Sequence, residues 1–425
     1  MSHQVALTII TRIKSGETEA LKQLLNSMSD NAVHNEIIPF GKLSRTHFAR
    51  LMVLDESTGS DGSVIAPCLV LMMDCDAPRG RNLKELVDIA AEGLDKIYCH
   101  CEDYPCGSKI TSRQRLAYLR SKLVNSNLFY VNTVGRTVQQ VHQEAQLRNA
   151  IQDFLDRSKQ DWAEQDPLKV RAAIQTFVSS EPKLSWARKP AAQPGLFFRL
   201  KETLHMVAIP LLLLVLLPFV IVTLLVWLVL LRFHELTDSV PNIKPDPAHL
   251  QELADGEDFI VQNQFNTVGY IKPGQFWRLT SIVNFWLANY ATRHIFNKGS
   301  LAGLKTVHFG HLIIINEKRR VIFTSYYDGS LESYMDDFID KVAWVLNVAF
   351  GNMVGYPRTR WLVLDGARDE QSFKNYNRSH QIPTQVWYSA YDNLTTLNLE
   401  NNAKIRAGLF GDMTTSEAEE WLRLL

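Results

Sequence analysis

Hydrophobic and polar residues are distributed along this chain in distinct patterns, and each pattern predicts an element. Residues 7–13, 47–55, 67–73 and 128–134 are short, nearly continuous apolar runs of strand length. Residues 18–28 and 82–98 instead carry apolar side chains at helical spacing, with Leu83, Leu86, Val87, Ala90, Leu94 and Ile97 on one face of the second. A basic helix is predicted near 112–123 and a long polar helix over 137–155. The resulting order is β-α-β-β-α-β, with helical additions.

That order is the ferredoxin-like motif, and the second half of the chain repeats it. Ile13-Lys14-Ser15-Gly16 corresponds to Ile271-Lys272-Pro273-Gly274, and residues 47–56 correspond to 308–317. Residues 69–105 align without gaps on 321–357, matching Asp76 to Asp328, Asp88 to Asp340 and Tyr104-Pro105 to Tyr356-Pro357. A sheet of this kind has one face covered by helices and one bare face that must be buried. The expected fold is therefore α+β, with two ferredoxin-like repeats packed bare face to bare face as a pseudo-dimeric barrel.

Between the halves lies a different pattern. Residues 206–231 carry no charge, long enough for a membrane segment. As one helix they would extend about 39 Å across a hydrocarbon core of about 30 Å. Pro218 interrupts the run, and halves on opposite sides of a bilayer could not bury each other. The pattern thus favours a hairpin turning at Pro218 over a single span. The domain reading is an N-terminal repeat over 1–160, a basic linker over 161–205, an anchor over 206–232 and a C-terminal repeat over 233–425.

Composition adds limits. The 45 basic and 45 acidic residues balance, so no nucleic-acid footprint is expected. Lys183, Arg188, Lys189, Arg199 and Lys201 precede the anchor, and fewer basic residues follow it. By the positive-inside tendency the N-terminal half is expected on the cytoplasmic face of the membrane, and with a hairpin anchor the C-terminal half as well. The 5 cysteines, Cys68, Cys75, Cys99, Cys101 and Cys106, suit reduced, structural thiols in such a compartment, and no metal site is expected. No Walker loop, dinucleotide fingerprint, Gly-x-Ser-x-Gly elbow or His-Glu-x-x-His pair is present.

At residues 47–56, Asn132-Thr133-Val134-Gly135-Arg136-Thr137, 326–334 (YYDGSLESY) and 382–391 (IPTQVWYSAY), the chain resembles an uncharacterised bacterial family of membrane-associated proteins. The resemblance implies a two-repeat, membrane-anchored architecture and assigns no catalytic residue. The family pattern has His-Phe-Ala-Arg in both halves, whereas the second copy here reads His-Phe-Gly-His, separating the roles of Arg50 and His311. On fold pattern alone the chain is also similar to the dimeric α/β-barrel superfamily, which implies haem as a conceivable cofactor and a peroxidase-like activity as one alternative.

His47 and His308 open equivalent strands, where each fits a general base, a haem ligand or a hydrogen-bonded cap. Strict alternation puts His47 with Ala49, Leu51 and Val53, and Arg50 on the other face with Phe48, Met52 and Leu54. Arg50 requires an anionic partner there, either a ligand or one of Asp74 and Asp76. Asp328 reads as an acid/base group or a turn residue, and Tyr326, Tyr327 and His311 as cavity-lining groups. Arg358, Arg360 and Trp387 form a basic-aromatic set suited to a carboxylate or headgroup. The leading functional expectation is a membrane-anchored protein that binds or transforms an apolar, acidic, lipid-like molecule between the halves. The alternatives are the haem enzyme and a non-catalytic membrane scaffold, whose sheets would bury each other with Phe, Tyr and Met.

Overall fold

The computed structural model describes residues 3–59, 62–107, 109–158, 161–162, 164–241 and 243–425; the domain boundary drawn at residue 160 lies outside them. The apolar runs form antiparallel strands: β1 (Gln4–Arg12), β2 (Thr46–Leu54), β3 (Cys68–Asp76), β4 (Leu123–Val124), β5 (Leu128–Val131), β6 (Gln262–Tyr270), β7 (Val307–Ile315), β8 (Arg320–Asp328) and β9 (Val386–Ser389). They build a five-stranded sheet ordered β9-β2-β3-β1-β4 and a four-stranded sheet ordered β5-β7-β8-β6.

The halves exchange their final strands. β4 starts beside β1, with Leu123 opposite Ile9. The chain then crosses to the other sheet, where β5 pairs with β7, Leu128 opposite Leu312. The second half does the converse: Gln381 bridges to Thr267 on β6, and β9 then pairs with β2, Trp387 opposite Arg50. Each sheet is thus completed by a strand from the other half, so the halves cannot separate without breaking both ladders.

Helices cover one face of each sheet, over cores that include Leu7, Ile9, Leu51, Leu71 and Leu86 in one half and Phe265, Trp277, Leu312 and Phe338 in the other. The opposite faces meet each other. Met52, Leu54, Val70 and Met72 pack on Val268, Ile313 and Ile322, and Phe48, Phe309, Tyr326 and Tyr391 continue the contact. Each such side chain, fully buried, contributes roughly 1.5–3 kcal/mol. The stretch 161–205, read as a linker, instead contains the helix Pro167–Ser180, which packs on Thr415–Leu422 around Val170, Ile174, Val178 and Trp421. Cys99 and Cys106 are joined in a disulfide, a departure from the expected set of reduced thiols; Cys68, Cys75 and Cys101 are free and buried.

The apolar stretch forms two helices, Leu196–Val215 and Leu217–Thr237, of which the second is long and apolar enough to cross a membrane by length and composition. The break falls at Leu216, two residues before the expected turn, because Pro218 has no amide hydrogen to donate and so fits the first turn of the second helix. Both helices stand on a third, Gln275–His294. At its C-terminal end Glu202 binds Arg293, His205 Nδ1 lies 2.7 Å from His294 Nε2, and Tyr290 donates to the Met206 carbonyl at 2.7 Å. At its N-terminal end Trp227 donates to Thr280 at 3.0 Å, His234 stacks on Phe276, and Trp277 donates to Asp238 at 2.6 Å. Between these feet the apolar segment is almost wholly exposed, including Leu214, Val215, Phe219 and Val222.

Candidate functional site

The residues singled out by sequence converge between the sheets, although not in the way that strict alternation predicts. The β2–β3 register shifts between Thr46 and Phe48, and the β8–β7 register shifts between Tyr326 and Tyr327. Each shift is a bulge, and its extra residue is His47 or His308. A bulge leaves one residue out of the ladder and re-aims its side chain. His47 therefore leaves the helix-covered face of Ala49 and Leu51 and joins Phe48 in the space between the sheets.

There the histidines make matching contacts. His47 Nε2 is 3.0 Å from Asp76 Oδ1 and its Nδ1 is 2.8 Å from the Tyr391 hydroxyl. The other Asp76 oxygen accepts the backbone amide of Val138, the first residue of helix Val138–Arg157. In the second half, His308 Nε2 is 2.7 Å from Asp328 Oδ1. Asp328 Oδ2 accepts both the amide of Thr396 at 2.7 Å and its hydroxyl at 2.8 Å, at the start of helix Thr396–Ala407. Each carboxylate thus ties a bulge histidine to a helix N-terminus, where the helix dipole favours negative charge. Asp328→Ala strips His308 and Thr396 of their acceptor, so we expect a loss of about 2–4 kcal/mol from the uncapped helix and the stranded buried imidazole. Urea unfolding should register it as a lower midpoint with an unchanged slope.

Deeper between the sheets the two halves differ. Arg50 is wholly buried and donates to the Tyr326 hydroxyl at 2.9 Å, to the carbonyls of Phe265 at 3.2 Å and Ser325 at 3.1 Å, and to Asn266 Oδ1. Its guanidinium also lies 3.8 Å from the Tyr326 ring centroid. The position equivalent to Arg50 is His311, whose Nε2 is 2.9 Å from Asp74 Oδ1, an ion-pair distance off the line of a hydrogen bond. Asp74 is in turn the equivalent of Tyr326. Both crossings therefore link the same two repeat positions, once as Arg–Tyr and once as His–Asp, each between opposite halves.

The remaining candidates do not join this centre in the same way. Tyr327 lies on the opposite face of β8, stacked on Tyr334 with ring centroids 4.0 Å apart. Arg358 and Arg360 are exposed beside the second foot of the apolar segment, donating to the Asp238 carbonyl and pairing with Asp365. Trp387 packs at the edge of the inter-sheet cluster. Sequence patterns do not mark Asn266 or Thr396, they give Tyr391 no role beyond closing the 382–391 motif, and they offer Asp74 and Asp76 to Arg50, whereas the fold gives these two to His311 and His47. The match of Asp76 to Asp328 in the repeat is the signal that points to the His–Asp pairs.

Little free space remains among these groups. The cavity bounded by His47, His308, Arg136, Val131, Phe309 and Tyr391 measures about 20 Å³, enough for about one water. A lipid chain has no room there. Haem does not fit either: both nitrogens of His47 are engaged, His308 Nε2 faces Asp328, and no slot opens beside them. Among the described residues, no group of three or more His, Cys, Asp or Glu is placed to hold a metal. No protein-family model matches the chain, and neither a curated protein nor a solved structure matches it.

Proposed function

We propose that the chain is a monotopic membrane protein, whose apolar wedge enters one leaflet and whose two sheets form a non-catalytic scaffold on the same side. On this reading each half is a ferredoxin-like unit that has exchanged its last strand, and the sheets close on each other as a filled pseudo-dimeric barrel. The observation that carries the proposal is that both arms of the wedge stand on the single helix Gln275–His294. From Met206 to Leu216 and from Leu217 to Trp227, each arm is about 15 Å long, the depth of one leaflet. The feet, at Tyr290 and Thr280, are also about 15 Å apart along the supporting helix.

That helix supplies the floor. Phe276, Thr280, Val283, Leu287, Tyr290 and His294 follow one another at intervals of three and four residues, so the feet and the bare Val283 and Leu287 share a face. Leu279 and Trp286 flank it and are also exposed. Apolar side chains left bare on an amphipathic helix suit the boundary between headgroups and acyl chains. The excess of basic residues before the wedge supports the cytoplasmic face of a bacterial membrane. The filled inter-sheet space supports a scaffold over a lipid-handling enzyme.

The test is vesicle flotation of the full chain together with protease access to tags at both termini. We expect the wild type to float and both tags to be cleaved from the same side. The triple variant Leu214→Glu, Phe219→Glu, Val222→Glu changes only exposed positions and should stay folded yet remain in the soluble fraction. Tags on opposite sides of the bilayer would defeat the wedge in favour of a span.

A further inference from the structure

A second place in the molecule holds a cation that the fold does not satisfy. Arg320, the first residue of β8, is 3% exposed, yet its Nε and Nη1 have no acceptor. Among the described residues no acidic group pairs with it, and its guanidinium carbon lies 5.4 Å from the Tyr270 ring. Burial without a counter-charge pulls its pKa below the usual arginine value. Arg320 lines an open cleft of about 580 Å³, together with Tyr270, Lys244, His249, Ser379 and His380. Ser379 Oγ, which belongs to the lining of the same cleft, is also buried without a partner.

The acids of this cleft are mostly engaged by groups other than Arg320. Asp55 binds Lys22 at 2.8 Å, Asp246 caps the helix Pro247–Ala254, and Glu252 lies 3.7 Å from His249. Glu56 is exposed at the rim.

The repeat supplies an internal control. A matching cleft of about 590 Å³ lies at the equivalent place in the other half, with Arg12 where Tyr270 stands and Cys68 where Arg320 stands. Cys68 is a buried free thiol, so the fold fills this position without any charge. Arginine is therefore not demanded by packing. A guanidinium kept dry, without an acidic partner and facing a cleft is matched by the planar, two-oxygen edge of a carboxylate or phosphate group.

We propose that this cleft binds a small oxyanion, a carboxylate or phosphate compound, with Arg320 as its principal contact, Ser379 as a second donor and Tyr270 packing beside it. The proposal is independent of the membrane reading. It is tested on the full chain in mild detergent by calorimetric titration with inorganic phosphate and, separately, with succinate. We expect at least one anion to bind the wild type, and Arg320→Met to weaken that binding by about tenfold or more, with folding unimpaired. Binding of phosphate alone points to phosphate compounds, and of succinate alone to carboxylates. The proposal is overturned if neither anion binds, if binding survives Arg320→Met unchanged, or if Arg320→Met fails to fold.

Discussion

Arg50→Met should lower the stability of this protein by about 3–5 kcal/mol, one of the two largest losses expected for any single substitution. Methionine matches much of the apolar stem but supplies no donor. The Phe265 and Ser325 carbonyls, Asn266 and the Tyr326 hydroxyl would all lose the guanidinium that joins them across the sheets. Each buried group left unpaired costs about 1–3 kcal/mol, partly offset where a water can follow. Charge adds to the loss. Arg50 stands opposite Met72 and Phe48 stands opposite Asp74, so Asp74 is the diagonal neighbour of Arg50 on the same face.

Arg50→Lys should recover only part of the loss, since one ammonium cannot reach acceptors spread over two strands as a planar fork does. Urea unfolding checks both variants. A midpoint for Arg50→Met within about 1 kcal/mol of the wild type would show that these hydrogen bonds do not hold the sheets together. The contrast with Arg320→Met sharpens the test. Both arginines are buried, but one donates to four protein groups while the other leaves Nε and Nη1 without an acceptor, so only the first should cost stability when removed.

How much of this was legible in the sequence follows from what each signal encodes. Strand runs and helical periodicity report which residues turn away from water, and they located β1, β2, β3 and β5 to within a few residues; the repeat carried that reading onto the second half. The internal repeat aligned His47 with His308 and Asp76 with Asp328, which the fold pairs in the same way in each half. Local pattern does not encode the partner of a strand. The run 128–134 reads as a strand whether it closes its own sheet or, as here, crosses to β7. Nor does periodicity reveal a bulge: one added residue reverses the face of His47 without changing the composition of the run.

The candidate site was legible in its residues but not in its use. A buried histidine, arginine and aspartate imply chemistry only when something is left for them to do. In the sequence Arg50 stands alone inside an apolar run, and Arg320 closes the basic triplet Lys318-Arg319-Arg320 at the start of another; neither pattern names a partner. Their difference lies in long-range contacts: Asn266 and Tyr326 accept from Arg50, and no acidic group reaches Arg320 among the described residues. The Arg358 and Arg360 pair illustrates the converse. The basic-aromatic set is real in composition, yet the fold divides it: Arg358 and Arg360 stand beside the base of the helix Leu217–Thr237, and Trp387 lies at the edge of the inter-sheet cluster.

That helix base is the subject of the second large effect. Glu235→Ala should cost about 3–5 kcal/mol and free the loop that packs on the base of the helix Leu217–Thr237. Glu235 is 4% exposed, and its carboxylate accepts from the Thr359 hydroxyl at 2.9 Å, the amides of Trp361 at 3.0 Å and Leu362 at 2.8 Å, and Arg232 at 3.0 Å. Trp361 and Leu362 both hold left-handed backbone, with φ of 57° each. This conformation is costly for branched and bulky residues, and it turns successive amides toward one anion. Without the carboxylate, the strain remains and its compensation is gone. The loop around residues 359–365 should then relax, and hydrogen exchange at the Trp361 and Leu362 amides should rise well above that of the wild type. Arg232→Ala should cost less than about 1 kcal/mol, because that side chain is partly exposed and the three other donors stay in place. Unchanged exchange at these amides in Glu235→Ala would mean that the second foot is held without this loop, through Leu231, Trp227, His234 and Asp238. The helix Leu217–Thr237 would then be joined to the body chiefly through the helix Gln275–His294, and the loop would be a passenger.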